Sequence, residues 1–246
     1  MITENSDNNN LSSEDSTNIS PVTTINANWQ PLVNSNIPPE RLLLGDFNGD
    51  GEDDVLTNFD GNFQVSYSGN SSWQPLINSD IGVEDLLVGD LNGDGADDVF
   101  TTFDGNFQVS YNATDSWQPL ANSTIPVNDL LLGDLNGDGT DDVFTTFGGN
   151  FQVSFSGTEN WQPLANSTIP VDDLLLGDLN GDGTDDVFTI FDNTFQVSYG
   201  GTASWRPLLA NANVLVDDLL LGDLNGDGKD DVFTAFDGNF QVSLSV

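Results

Sequence analysis

Five tryptophans stand at a fixed interval in this chain. Trp29, Trp73, Trp117, Trp161 and Trp205 are each 44 residues apart. The aspartates that open an acidic motif, Asp46, Asp90, Asp134, Asp178 and Asp223, follow at steps of 44, 44, 44 and 45. A repeat of this length confines the chain to units that stack on copies of themselves, because one such unit cannot bury its own apolar surface.

Each unit holds four strand-like runs. They are LLLG before the acidic motif, DVFTTF after it (Asp142 to Phe147), NFQVSY (Asn106 to Tyr111) and WQPL. β-Branched and aromatic residues dominate, and no segment carries a 3.6-residue apolar period. The second and third runs are joined by Asp60-Gly61-Asn62 and its counterparts, a strong hairpin signal. Gly148 replaces the aspartate in the third copy, and the fourth reads Asp192-Asn193-Thr194. Bulk on both faces of the second run, Val143 and Phe147 against Phe144, suits sheets covered on two sides. Four strands per repeat, five times over, predict an all-β fold: a five-bladed β-propeller of four-stranded blades.

The phase of the repeat bears on closure. The chain enters on a fourth-strand motif, Trp29 to Leu32, and leaves on a third-strand motif, Phe240 to Ser243. The N-terminal strand is therefore expected to complete the last blade, so that no sheet edge is left unpaired at either end. The propeller is expected over 25–246. Residues 1–24 are polar, low in complexity and expected to be a disordered tail.

Charge narrows the function. There are 40 acidic residues and 3 basic ones, for a formal charge of -37. Nucleic acid is excluded as a partner, because phosphate binding needs clustered Lys and Arg. No apolar run reaches the ~18 residues of a membrane span, so no membrane insertion is expected. Histidine and cysteine are absent. A serine nucleophile would lack its base, and the chain is not expected to be an enzyme. The first residues lack the basic and apolar regions of a secretory signal peptide. An extracellular or cell-surface location is expected on function alone.

The acid is concentrated in one motif. It reads Asp46-Phe47-Asn48-Gly49-Asp50-Gly51-Glu52-Asp53-Asp54, then DLNGDGADD, DLNGDGTDD twice and DLNGDGKDD. Oxygen donors fall at positions 1, 3, 5 and 9, with a backbone carbonyl expected at 7, a spacing that suits the six to eight oxygens calcium requires. The predicted ligands are Asp46, Asn48, Asp50, Glu52 and Asp54; Asp90, Asn92, Asp94, Ala96 and Asp98; Asp134, Asn136, Asp138, Thr140 and Asp142; Asp178, Asn180, Asp182, Thr184 and Asp186; and Asp223, Asn225, Asp227, Lys229 and Asp231. That is about one Ca2+ per blade. An EF-hand shares this opening but requires a glutamate at position 12, where this chain has Thr57 and its counterparts inside a strand. A single copy would read equally well as a polar turn. Five copies with the same donors do not, since carboxylates ~5 Å apart repel by about 3 kcal/mol at an effective dielectric of ~20.

Asp-x-Asn-Gly-Asp-Gly-x-x-Asp between two strands resembles the FG-GAP or VCBS repeat of integrin α-chain propellers. The wider unit, with WQPL followed by LLLGDLNGDGxxDVF, is similar to the integrin-like fungal lectins of the Psathyrella velutina type. The likeness covers residues 26–246. It implies calcium-containing blades and sugar pockets between them. This chain differs in having five repeats rather than seven, and in carrying Phe63 and Phe107 where the lectin repeat has tryptophan.

The expected function is that of a calcium-stabilised, multivalent carbohydrate-binding protein, a lectin with glycan partners. Its candidate ligand residues are Tyr67, Trp73, Gln74, Tyr111, Trp117, Gln118, Trp161, Gln162, Tyr199 and Trp205, grouped for example as Tyr111, Trp117, Gln118 and Asn122. In the competing view the tryptophans only wedge the blades together. The alternative function is an integrin-like adhesion or scaffold propeller that binds protein partners; near-identical units favour several equal small-ligand sites over one asymmetric face. If residues 29–32 close the ring, removal of residues 1–24 leaves the melting temperature unchanged, whereas removal of residues 1–33 lowers it clearly. Equal melting of the two truncations would refute this closure.

Overall fold

A computed structural model describes residues 36–246 apart from 159, 203, 212–213, 237–238 and 244–246. The described chain is a five-bladed β-propeller of antiparallel sheets. The first blade is β1 (Leu43–Gly45), β2 (Asp54–Phe59), β3 (Asn62–Ser66) and β4 (Gln74–Asn78). The second is β5 (Leu87–Gly89), β6 (Asp98–Phe103), β7 (Asn106–Ser110) and β8 (Gln118–Asn122). The third is β9 (Leu131–Gly133), β10 (Asp142–Phe147), β11 (Asn150–Ser154) and β12 (Gln162–Asn166). The fourth is β13 (Leu175–Gly177), β14 (Asp186–Phe191), β15 (Thr194–Ser198) and β16 (Arg206–Asn211). The fifth has three described strands, β17 (Leu219–Gly222), β18 (Asp231–Phe236) and β19 (Asn239–Ser243). Strand order follows chain order in every sheet. The only helical segments among the described residues are three-residue 3-10 turns, such as Tyr67–Gly69 and Val83–Asp85.

The central hairpin forms as its turn residues require. Phe59 pairs with Asn62 across Asp60 (φ 53°) and Gly61 (φ 73°). Two positive φ values in succession match the right-handed twist of the flanking strands. Asp192 (φ 50°) and Asn193 (φ 57°) make the same turn without glycine, since short polar side chains tolerate this region.

The outer strand begins one residue later than WQPL suggests. Gln74 pairs with Val65 and Pro75 with Gln64, while Trp73 precedes the strand. Leaving the sheet lets the tryptophan turn inward between blades. Trp117 stands edge-on against Phe63 of the preceding blade (centroids 6.1 Å apart) and Phe103 of its own (5.7 Å). Trp161 repeats this with Phe107 and Phe147, at 5.8 and 5.5 Å. Each such pair contributes about 0.5–1.5 kcal/mol beyond the area it buries. The core accordingly lies between blades. In the first junction Phe47, Leu56, Phe63 and Val65 of one blade pack with Val99 and Ala113 of the next.

A polar contact joins the inner strands. The N–H of Asp97 donates to the Asp46 carbonyl (2.7 Å), and the Asp97 carboxylate accepts the N–H of Asp46 (2.8 Å). Asp185 and Asp134 repeat the exchange (2.7 and 3.0 Å), as do Asp230 and Asp178 (2.8 and 3.0 Å). The glycine that ends the inner strand of blades one to four makes room for it. A Cβ on Gly133 would lie 2.4 Å from Asp185 Oδ2. No such exchange joins Asp53 to Asp223, both of which are exposed. Leu224 beside them is 47% exposed, whereas its counterparts Phe47, Leu91, Leu135 and Leu179 are at 4–6%. The expected closing strand, Trp29 to Leu32, and the tail 1–24 lie outside the described residues.

Asp185→Ala removes the acceptor and strands the N–H of Asp134, a loss of about 1–3 kcal/mol. At roughly 2–4 °C per kcal/mol for a chain of this size, thermal melting should fall by roughly 2–12 °C. Asp185→Asn keeps an acceptor and should stay close to the parent. An unchanged melting curve for the alanine variant would count against the contact.

Candidate functional sites: acidic loops and blade junctions

Each acidic loop runs from an inner strand to the second strand of its blade, wound around its first aspartate. Asp46 Oδ1 accepts the N–H groups of Asn48, Gly49 and Asp50 (3.3, 2.8 and 3.2 Å), and Oδ2 that of Gly51 (2.7 Å). Positive φ at Gly49 (71°) and Gly51 (84°) aims these groups inward. Asp50 accepts the N–H of Glu52 (3.0 Å). Asp90, Asp134, Asp178 and Asp223 gather their loops in the same way. Asp94, Asp138, Asp182 and Asp227 accept the N–H of Ala96, Thr140, Thr184 and Lys229 in turn.

The ninth position anchors the loop to the blade. Asp54 is completely buried. Its Oδ2 accepts the Phe47 N–H (3.2 Å) and the Asn48 side-chain amide (3.1 Å), and its Oδ1 accepts the Ser68 N–H (2.7 Å) from the turn after β3. Asp98, Asp142, Asp186 and Asp231 are equally buried and hold Asn92, Asn136, Asn180 and Asn225. Burial pushes the carboxyl of Asp98 up to about 7 and those of Asp142 and Asp186 to about 6, despite backbone N–H donors that favour the charged form. The negative first and fifth aspartates add to the rise. At Asp223, by contrast, the N–H groups of Gly228, Gly226 and Asp227 hold the exposed carboxyl below its ordinary value.

Five buried carboxylates cannot be neutralised by the three basic residues in the chain. The donors around them are all oxygen, the set that suits a hard cation such as Ca2+ rather than a thiolate- or imidazole-seeking metal. Among the described residues no three acidic side chains lie close enough together to enclose an ion. The carboxylates turn toward backbone N–H groups instead, and each retains lone pairs beyond those bonds.

At the junctions the aromatic side chains group across blades. Tyr67 shares a cluster with Trp117, and Tyr111 with Trp161. Tyr111 and Trp117, neighbours in the chain, thus pack against successive junctions. The pair within one junction is also spread out. Trp117 meets Phe63 near the start of β3, and Tyr67 follows its end, four residues or ~13 Å along the strand. Trp73, Trp117, Trp161 and Trp205 are half-buried, whereas Gln74, Gln118 and Gln162 are exposed on the outer strands. Arg206, at the glutamine position of the fourth blade, lies over the Tyr199 ring at 5.3 Å and covers one of its faces.

Residues 90–145 match the FG-GAP-like repeat family. No curated protein sequence matches the chain. Among solved structures, a lectin of Agrocybe aegerita, described for specific recognition of non-reducing terminal N-acetylglucosamine, aligns with TM-score 0.60 at 18% identity over 83% of this chain and 66% of its own. The biofilm matrix protein Bap1 of V. cholerae aligns with TM-score 0.35 at 18% identity over 79% of this chain and 34% of its own. A GH74 enzyme of Niastella koreensis aligns with TM-score 0.48 at 13% identity over 81% and 29%. The chain thus spans less than two thirds of each of these proteins. The likeness to the first is one of fold: the chain is a five-bladed propeller, and its second and third acidic loops fall within the segment that matches the FG-GAP-like repeat family.

Proposed function

We propose that this chain is a calcium-stabilised, multivalent carbohydrate-binding propeller that acts by binding and without catalysis. The observation that carries this reading is the repeated junction: a half-buried tryptophan wedged on phenylalanine, beside an exposed glutamine. A ligand that fits one junction meets the same groups at the next, and a sugar ring, with one apolar face and a hydroxylated rim, suits an aromatic edge flanked by amides. The fold likeness to a protein described as recognising a terminal N-acetylglucosamine supports the choice of ligand class. Each site is weak alone, and linked epitopes on a surface raise avidity by about 10²–10⁴ where their spacing matches.

Calcium has a structural part in the proposal. It neutralises the buried ninth-position aspartates and draws the first, third and fifth side chains of each loop together, away from the sugar. Affinities of about 10⁻⁴–10⁻³ M are typical of extracellular modules, so the proposed location is outside the cell. At ~10 mM calcium such a site adds about 1.4–2.7 kcal/mol of stability.

The sign of the pH dependence follows from the raised carboxyls. In chelator, Asp98, Asp142 and Asp186 hold protons in the folded chain up to about 6–7 but release them near 3.9 when unfolded. The folded state then binds more protons between these values, so stability falls as pH rises from ~4 through ~7. Saturating calcium requires ionised ligands and should reverse the trend. Melting curves at pH 5 and pH 7.5, in chelator and in calcium, test this. Lack of any calcium effect at pH 7.5 would remove the metal from the proposal. For the ligand, a glycan array in calcium should show binding that free sugar competes away. A silent array, with the fold verified, would transfer the reading to a protein-binding scaffold.

A further inference from the structure

The junctions between successive blades repeat one geometry. At each, the eighth residue of an acidic loop donates its N–H to the carbonyl of the first aspartate in the preceding loop. Asp97, Asp141 and Asp185 do so at 2.7 Å, and Asp230 at 2.8 Å. Apolar side chains close around this bond. In the first junction Leu43 and Phe47 of blade one meet Val88 and Val99 of blade two. In the fourth, Leu175 and Leu179 meet Leu221 and Val232 in the same way.

The equivalent positions at the two ends of the series are uncovered. Blade one turns out Leu44, which is 63% exposed, and the half-buried Val55, where blade two packs Val88 and a fully buried Val99. Blade five turns out Leu220 (65% exposed) and Leu224 (47%), where blade one packs Leu43 and Phe47. A Cβ on Gly222 would meet nothing within 4 Å, whereas one on Gly45 would lie 2.5 Å from Val88 Cγ1 and 3.3 Å from the Asp97 Cβ. Among the described residues no buried apolar cluster joins blade five to blade one.

We propose that blade one of a second copy of this chain packs on blade five, so that copies join head to tail through the contact that already joins blades within one chain. The two faces are complementary because each repeats a face that is paired at every internal junction. Leu44 and Val55 of one copy cover Leu220 and Leu224 of the other, and the Asp53 carboxylate accepts the Asp223 N–H, as that of Asp97 accepts the Asp46 N–H. Packing blade five on blade one of the same chain would require the four formed junctions to tilt together, each against its hydrogen bond and its apolar core. A second copy docks with those junctions left as they are. The contact is heterologous, so each copy keeps one free face until the assembly closes on itself. Each copy carries a charge of -37, so association should strengthen as salt screens the repulsion. The inference does not depend on the carbohydrate reading.

The chain has no cysteine, so disulfide trapping reads the contact directly. Cysteines in place of Gly45 and Asp97 would have Cβ atoms 3.3 Å apart, near the span of a disulfide. The equivalent pair across the open faces is Asp53→Cys and Gly222→Cys. The two full-length single variants, each verified as folded, are mixed in calcium and oxidised. The mixture should give a covalent dimer with one copy of each variant, and neither variant alone should dimerise. Adding Leu220→Glu to the Gly222→Cys chain should cut the yield about tenfold, because the new carboxylate is buried without a partner. Light scattering of the parent should show a mass above the monomer that rises with protein concentration and with salt. An intrachain disulfide in a monomeric Asp53→Cys, Gly222→Cys double variant overturns the proposal, because the chain then closes on itself. Absence of the mixed dimer overturns it too, as does dimerisation of either single variant alone, which would pair like faces.

Discussion

Two consecutive aspartates at the close of the acidic loops of blades two to five hold the architecture together. Their side chains leave an extended backbone in opposite directions. The second, such as Asp98, turns into its own blade and fixes the loop and the turn after the third strand. The first, such as Asp97, reaches across to the preceding blade and exchanges hydrogen bonds with its inner strand. One dipeptide therefore couples the order of a loop to the position of the neighbouring sheet. Both carboxylates are desolvated, and those of Asp141 and Asp185 are pushed up to about 7 by burial first and then by the negative charge of the corresponding aspartate in the next blade, Asp185 and Asp230 in turn. Structural carboxylates so placed tie the stability of the inter-blade contact to whatever neutralises the loop.

Much of this was legible in the sequence because it is local. The 44-residue period, the Asp60-Gly61 hairpin and the acidic loop each depend on residues close in the chain, and each appears where expected. What was not legible depends on which faces meet. Asp97 and its counterparts read as surplus charge, since nothing in the sequence says that the inner strand of the preceding blade stands opposite. Tyr111 was grouped with Trp117 for proximity in sequence, yet stacking sends the two to different junctions. The tryptophan read as the first residue of a strand, where aromatic residues are common; its packing between phenylalanines draws it out of the sheet. The difference between Asn58 and Thr146 was visible in the sequence and carried no signal there, because the Asn58 amide donates to two carbonyls about twenty residues further on, those of Ser79 and Ile81.

Near-identity of the repeats therefore does not make the blades equal. The acidic loops are uniform, down to the same side chain accepting the same N–H groups. The opposite ends vary, with Arg41, Asn58 and Gly82 in one cleft answered by Asp129, Thr146 and Pro170 in another. Uniformity sits where every blade needs the same internal bonds. Variation sits where the internal bonds are dispensable and the lining faces outward.

The outer strands carry one further consequence. A propeller has as many free sheet edges as blades, and each edge is a template for pairing with another molecule. Pro75, Pro119, Pro163 and Pro207 lie in these strands, paired with Gln64, Gln108, Gln152 and Gln196. A proline has no N–H to offer an incoming strand, and the bulge beside it twists the edge out of line. Together with the charge of -37, this lets many copies crowd on one surface without polymerising through their rims.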